Sequence, residues 1–250
     1  MIKVVLLGAG NVAIHLATAL IEARNVELKQ RFSRSNKNNG FFDPVIPFTD
    51  DLQNLEKADI YIIAINDDAI GGFSDQLSHL KGLVLHTSGS VPIDAIHTKL
   101  RKGVLYPVQT FSKERTIDFK KVPLAIETSD PGDFNLLKEL AMKLSDHVHQ
   151  VSSQRRERLH MSAVFANNFS NYMYLMAKEI CLEHELSFDI LKPLIMETAQ
   201  KIMDLDPYAA QTGPAKRNDR KVVEKHLSLL EGEQKEIYNI VSRAIRNTYS

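Results

Sequence analysis

Ile2-Lys3-Val4-Val5-Leu6-Leu7-Gly8-Ala9-Gly10-Asn11-Val12-Ala13 is the stretch that decides the fold of this 250-residue chain. An apolar, partly β-branched run ends in two glycines, and an amphipathic segment carrying Ala17, Leu20 and Ile21 begins directly behind them. That order predicts strand, tight turn and helix, and Val26 to Phe32 supplies a second strand to complete a βαβ unit. Gly8 permits the turn, Gly10 lets the backbone approach a pyrophosphate, and Ala13 allows the helix to pack closely on the strand. The N–H groups of Asn11 and Val12 open the helix, where the positive end of its dipole favours phosphate.

The second strand runs into Ser33-Arg34-Ser35, followed by Asn36 and Lys37. A site for the unphosphorylated dinucleotide would place Asp or Glu here for the ribose hydroxyl, whereas a 2′-phosphate calls for a cation and small hydrogen-bonding groups. A guanidinium pairs with phosphate in a bidentate manner and stacks on adenine, and the flanking hydroxyls add donors. Ser33, Arg34 and Ser35 are therefore expected to select NADP(H), the alternative being a solvated arginine in a polar loop.

Composition sets the frame. Lys plus Arg equals Asp plus Glu, 31 of each, so the net charge is zero and neither nucleic acid nor an anionic membrane is an expected partner. Apolar residues make up 44% and charged residues 25%, the proportions of a soluble globular protein. Cys181 is the one cysteine, which rules out an internal disulfide. The first residues lead straight into a strand, and no apolar run nears the roughly 20 residues that span a bilayer. A cytoplasmic location is the expectation.

Outward from the opening unit, Asn38-Asn39-Gly40 and Asp43-Pro44 mark a loop, Val45-Ile46-Pro47 an edge strand, and Asp50 to Lys57 a short helix. Ala58 to Ile65 is a continuous apolar run, the pattern of a central parallel strand, and its end at Asn66-Asp67-Asp68 offers an Asp cap to the next helix. Gly82 to His86, Val104 to Gln109, Val122 to Glu127 and His147 to Val151 read as strands. Val91 to Leu100 and Asp130 to Leu144 read as helices, the latter with proline in its first turn. Beyond Ser152 only helical spacing remains, in Gln154 to Glu185, Asp189 to Leu205 and Asn218 to Tyr249. The fold class is thus α/β, a Rossmann-like and mainly parallel sheet followed by an all-α C-terminal domain. The expected domains are 1–152, which binds the dinucleotide, and 153–250, a helical domain that helps to form the substrate site. The middle of the first long helix (Met161, Val164, Phe165, Phe169, Tyr172, Met173, Leu175, Met176) is apolar on more than one face, so burial on several sides is expected, against the nucleotide domain, the other helices or a second subunit.

In open α/β sheets the loops after the strands surround the reacting end of the cofactor. Ile65, Asn66 and Thr87 fall there and are expected to line it. Ser88, in the turn Thr87-Ser88-Gly89-Ser90, either holds a substrate carboxylate or the nicotinamide carboxamide, or belongs to a plain ST-type turn capping the helix expected next. His86 reads as a core histidine. Asparagine is a poor helix-interior residue and expensive to bury unpaired, so Asn167, Asn168 and Asn171 have partners worth having, in a substrate or in a neighbouring backbone. His160 has the protonation range of a general acid if it reaches the pocket. Arg217 follows the Gly213-Pro214 turn, where it either faces the cleft or is solvated while Asn218 or Asp219 caps a helix. The assigned catalytic set is His160, Asn168, Ser88 and Arg217. His147, His149, Cys181 and His184 lack the ligand spacing of a metal site, and none is expected.

Assembled, these stretches resemble, over nearly the whole chain, a bacterial family with a Rossmann-like domain ahead of an uncharacterised helical domain, whose members are labelled "putative NADP oxidoreductases". The matching pieces are Gly8 to Ala13, Ser33-Arg34-Ser35, His86 to Gly89, Tyr106-Pro107-Val108-Gln109-Thr110-Phe111, His160 to Asn171, and Thr212 to Asp219 with His226-Leu227. More distantly the chain is similar to pyrroline-5-carboxylate reductase, deazaflavin-dependent NADP reductases and 6-phosphogluconate/β-hydroxyacid dehydrogenases. The resemblance implies a homodimer joined through the helical domains. One departure stands out: the β-hydroxyacid dehydrogenases carry a catalytic lysine in a Lys-x-x-Asn-Asn pattern, and this chain has Val164 there. Either another donor, His160 foremost, replaces it, or the reaction needs only positioned hydride transfer to or from a small carbonyl or imine. The alternative is a dinucleotide sensor or scaffold that kept the fold and lost the chemistry.

Overall fold

The computed structural model describes residues 1–34, 42 and 45–249. Ser35, the Asn38-Asn39-Gly40 turn and Asp43-Pro44 lie outside the described residues.

Strand β1 (Ile2–Leu7) feeds helix α1 (Asn11–Glu22), which returns to β2 (Val26–Phe32). After β3 (Phe48–Thr49) and β4 (Ile60–Ile63) comes α2 (Ile70–Asp75), then β5 (Leu83–His86), β6 (Lys102–Pro107), β7 (Leu124–Thr128), α3 (Pro131–Leu144) and β8 (Val148–Gln150). The sheet order is β3-β2-β1-β4-β5-β6-β7-β8, with the β6–β7 pair antiparallel and the others parallel. Alternation along β1 explains the two-sided core. Val4 and Leu6 pack on the face that holds α1 and α3, while Val5 and Leu7 pack with Phe73 and Leu77 on the other.

Register fixes where ligands can go. Leu7 pairs with Phe32 on one side and Ile63 on the other, and Ile63 pairs with His86. Gly8, Ser33, Ala64 and Thr87 are therefore each one residue past a common row, at the carboxyl edge of the sheet. Gly8 has φ 141°, and a Cβ there would lie 2.1 Å from the Ala64 carbonyl oxygen. Only glycine lets the chain turn this close to β4.

Three local expectations are corrected. The edge strand is Phe48–Thr49, not Val45 to Pro47, and a single 3₁₀ turn, Leu52–Asn54, stands for the helix over Asp50 to Lys57. Val91 to Leu100 holds only a 3₁₀ turn at Ile93–Ala95, because its backbone groups are claimed elsewhere. The Ser88 hydroxyl accepts from Val91 N–H, Arg156 donates to the Val91 carbonyl, Ser153 Oγ accepts from Ile93 N–H and Ser74 Oγ from His97 N–H.

Helical structure continues through α4 (Ser153–Ala163), a π-helical segment (Val164–Phe169) and α5 (Ser170–Glu183), then α6 (Lys192–Asp204), α7 (Pro207–Ala210), α8 (Arg220–Leu229) and α9 (Gly232–Tyr249). The compact units are 1–168 and 169–250, whereas the strands end before residue 152. Helix α4 belongs to the first unit because its start is locked to β7: Glu127 accepts from Ser153 N–H, Ser153 Oγ and Arg156 Nη1, the last at 2.5 Å. Arg156 is 1% exposed, a burial that only such pairing sustains. In the second unit Asp219 accepts from Val222 N–H and caps α8, and His226 Nδ1 meets Tyr238 Oη at 2.7 Å. Within the single chain the long helix is less covered than its apolar spacing suggests: Met161, Phe165, Phe169, Tyr172, Met173 and Leu175 are exposed, and Met176 alone of that set is buried. Among the described residues, no helix is long and apolar enough to cross a membrane.

Candidate functional site

A cleft of about 640 Å³ opens at the carboxyl edge of the sheet, within the range that holds cofactors. Gly8, Gly10, Asn11, Val12, Ser33, Arg34, Ile65, Asn66 and Thr87 all line it, together with Asp67 and Phe73. The first turn of α1 has no side-chain cap and no acidic residue, so its N–H groups await an acceptor. A Cβ built on Gly10 meets nothing within 4 Å, so the space above the turn is open. Asn11 leaves the helix start clear because its Nδ2 donates to the Phe111 carbonyl, 2.9 Å away. His15 Nε2 donates to the Ser112 carbonyl at 3.0 Å, and the Phe111 ring packs on His15 and Phe119, so the segment after β6 lies as a strap across α1. Arg34 is exposed at the cleft.

Asp67 does not cap the next helix as expected: it opens a 3₁₀ turn, Asp67–Ala69, capped by Asn66 without a side-chain hydrogen bond, and α2 follows with Ala69 at its own cap position. Asp67 Oδ2 instead accepts from Ser88 Oγ at 2.7 Å and Ser90 Oγ at 2.6 Å, tying the loop after β4 to the loop after β5. Ser88 Oγ also accepts from the N–H groups of Ser90 and Val91, so this hydroxyl tightens the turn. Ser88 is buried and outside the cleft lining.

His86 is fully buried, with Nδ1 accepting from Ser88 N–H at 3.2 Å and Nε2 lacking a well-formed partner. Burial foremost, then the nearby Arg156 charge, pulls its pKa down to about 4, against smaller opposing effects of Asp67 and the Pro92 carbonyl. It is a neutral core histidine beneath the Thr87 to Ser90 turn.

His160 is not among the lining residues of the cleft; it is half-buried, with Nδ1 3.1 Å from Tyr106 Oη and the two rings edge to face. Gly89 lies against both: a Cβ there would come within 2.7 Å of His160 Nδ1 and of Tyr106 Cζ. Asn168 is exposed at the end of the first unit, and Arg217 is exposed in the second. Sequence reasoning placed Asp67 and Tyr106 in loops at the strand ends without giving either a role, and missed Arg156. Arg156 precedes His160 by one helical turn on the same face, a spacing that could have drawn attention to it.

A solved structure described as a "putative NADP oxidoreductase" from Bacteroides fragilis is 38% identical, with 98% of each chain covered and a TM-score of 0.90. The chain belongs to that family. Residues 122–245 match a domain of unknown function (DUF2520). A Thermotoga maritima protein aligns at 18% identity, TM-score 0.73, over 98% of each chain. Plasmodium falciparum pyrroline carboxylate reductase, solved with NADP bound, aligns at 11% identity and TM-score 0.64, covering 100% of this chain and 98% of its own. The latter two share the fold. No curated protein matches the chain significantly. The family is thus one of Rossmann-type oxidoreductases, and the open, uncapped turn fits the pyrophosphate of a dinucleotide.

Proposed function

We propose that the chain is an NADP(H)-dependent oxidoreductase acting on a small carbonyl or imine compound. The observation that carries this reading is the joint lining of one cleft by the uncapped Gly8 to Val12 turn and by Ser33-Arg34. Gly8, Gly10, Asn11 and Val12 would hold the pyrophosphate through backbone N–H groups. Ser33 and Arg34, with Ser35, would take the 2′-phosphate, and Ile65, Asn66 and Thr87 would face the nicotinamide half. When bound, that ring gives or accepts a hydride. On the protein side His160, Asn168, Ser88 and Arg217 are the proposed substrate residues, Ser88 acting by shaping its turn.

Titration of the full chain with NADPH and with NADH tests the cofactor half, with tight binding of the phosphorylated form expected. No dinucleotide affinity, or preference for NADH, would overturn it. NADPH consumption across a panel of carbonyl and imine compounds tests the other half. Val164 at the lysine position of related dehydrogenases favours a second reading, a dinucleotide sensor, and NADPH binding without turnover of any panel member would select it.

The proposal extends to a homodimer formed through the helical unit. Among its described residues the buried apolar side chains are Met176, Cys181 and Ala215, too few for a core, while Phe169, Leu175, Leu194, Met196, Ile202 and Met203 lie exposed. Apolar surface on that scale marks an association face.

A further inference from the structure

We infer that Tyr106 is a positioning residue for His160: its phenol holds Nδ1, which leaves Nε2 as the nitrogen that exchanges a proton with the substrate. The substrate end of this statement rests on the oxidoreductase reading; the tyrosine–histidine arrangement does not.

Tyr106 is 9% exposed in β6, packed with Ile93, Val104 and Ala125. Among the described residues, the hydrogen-bond partner of its Oη is His160 Nδ1. Burial foremost, with the Asp67 charge, raises the phenol pKa, so the group stays protonated through neutral pH. A buried O–H left without an acceptor is costly, and the neutral imidazole nitrogen supplies one. In the neutral ring the phenol donates to Nδ1 and the ring proton sits on Nε2; in the imidazolium the same oxygen accepts from Nδ1–H. Nε2 has no hydrogen-bond partner among the described residues.

Two further contacts fix the ring. Arg156, one turn earlier on α4, is pinned to Glu127 and the Val91 carbonyl, which sets the rotation of the helix. Gly89 allows the loop after β5 to lie flat against the pair, where a methyl group would collide with both rings. That loop is in turn held by Asp67, a lining residue of the cleft. The proton donor is thus referenced to the cofactor cleft through one carboxylate and one glycine turn.

The step balances. With a bound dihydronicotinamide supplying hydride to the carbonyl carbon, the carbonyl oxygen would take the Nε2 proton of the imidazolium; the N–H electron pair stays on Nε2, and the remaining ring proton, on Nδ1, stays hydrogen-bonded to the Tyr106 oxygen until the ring relaxes to its Nε2–H form. The carbonyl is reduced and the dinucleotide oxidised. Water then restores the proton to His160.

Nitrogen-15 NMR of the histidine-labelled full chain, with His160 assigned by its loss in His160→Gln, reads the arrangement without any substrate. At alkaline pH the expected pattern is a protonated Nε2 and an accepting Nδ1. In Tyr106→Phe the two nitrogen resonances should move toward each other. With any panel compound that the wild type reduces, kcat should fall about 10²-fold while the NADPH dissociation constant holds. Gly89→Ala should displace the ring and give the same loss with every hydroxyl intact, which covers the case of a poorly folded Tyr106→Phe. A proton on Nδ1 in the wild type, or an unchanged nitrogen pattern in Tyr106→Phe, would overturn the inference. If no panel compound is reduced, the functional reading fails while the nitrogen pattern still decides the role of Tyr106.

Discussion

Arg34 puts a guanidinium where a dinucleotide bearing only ribose hydroxyls would be met by a carboxylate. A charge-assisted bidentate contact contributes about 1.5–3 kcal/mol. Arg34→Ala should therefore weaken NADPH binding roughly 10- to 100-fold and leave NADH binding nearly untouched, as measured by calorimetric titration; equal losses would remove the phosphate from its proposed place. His86 makes a different prediction. Its folded pKa of about 4 lies below the ordinary 6.5, so the unfolded chain binds the extra proton between these values. The stability associated with its neutral form is complete above pH 6.5 and falls as the pH drops toward 4, by roughly 3 kcal/mol in all at about 1.4 kcal/mol per pH unit. Urea unfolding at pH 7.5 and pH 5 should show a smaller pH effect in His86→Asn than in the wild type. Residues such as Arg34 were legible because the strand-turn-helix motif assigns them by position. The pairings of Asp67, Tyr106 and Arg156 were not, because their partners Ser88, His160 and Glu127 lie 21, 54 and 29 residues away and are brought to them by the sheet.

Among the elements, the opening turn separates fold from function. Gly8→Ala forces a methyl group into the Ala64 carbonyl and should leave little soluble folded protein. Gly10→Ala meets open space, so its unfolding midpoint should stay close to wild type while NADPH affinity falls at least about tenfold, since the added Cβ occupies the approach to the pyrophosphate. Should both variants lose binding and stability in step, the turn is structural alone. Helix α4 carries another test: Arg156→Ala leaves the Glu127 carboxylate without its cation and should cost about 3–5 kcal/mol in thermal or denaturant unfolding. Apart from the short edge strand β3, the strands were legible because their apolar runs fit a buried sheet. Val91 to Leu100 was misread because helical spacing says nothing of the Ser88, Ser153, Arg156 and Ser74 groups that take up its backbone. The end of the first unit was hidden for a similar reason, the ionic lock between α4 and β7.

For the whole molecule, the helical unit raises the question of what covers it. Apolar spacing around the long helix was legible and its burial was expected, yet Phe165 remains 66% exposed and its neighbours follow. A second copy is the proposed cover, so sedimentation velocity at micromolar concentration should give a dimer, and Met173→Glu with Leu175→Glu should give a monomer. A wild-type monomer would remove the proposal.

The strap across α1 carries a consequence of its own. Asn11 and His15 hold the Phe111 and Ser112 carbonyls, so whatever steadies the beginning of that helix also steadies the neighbouring polypeptide up to Phe119. Arg115 sits exposed within this stretch. Limited digestion with trypsin should therefore nick the chain there more slowly once the coenzyme is added, turning a scissile bond on the outside into a gauge of occupancy within.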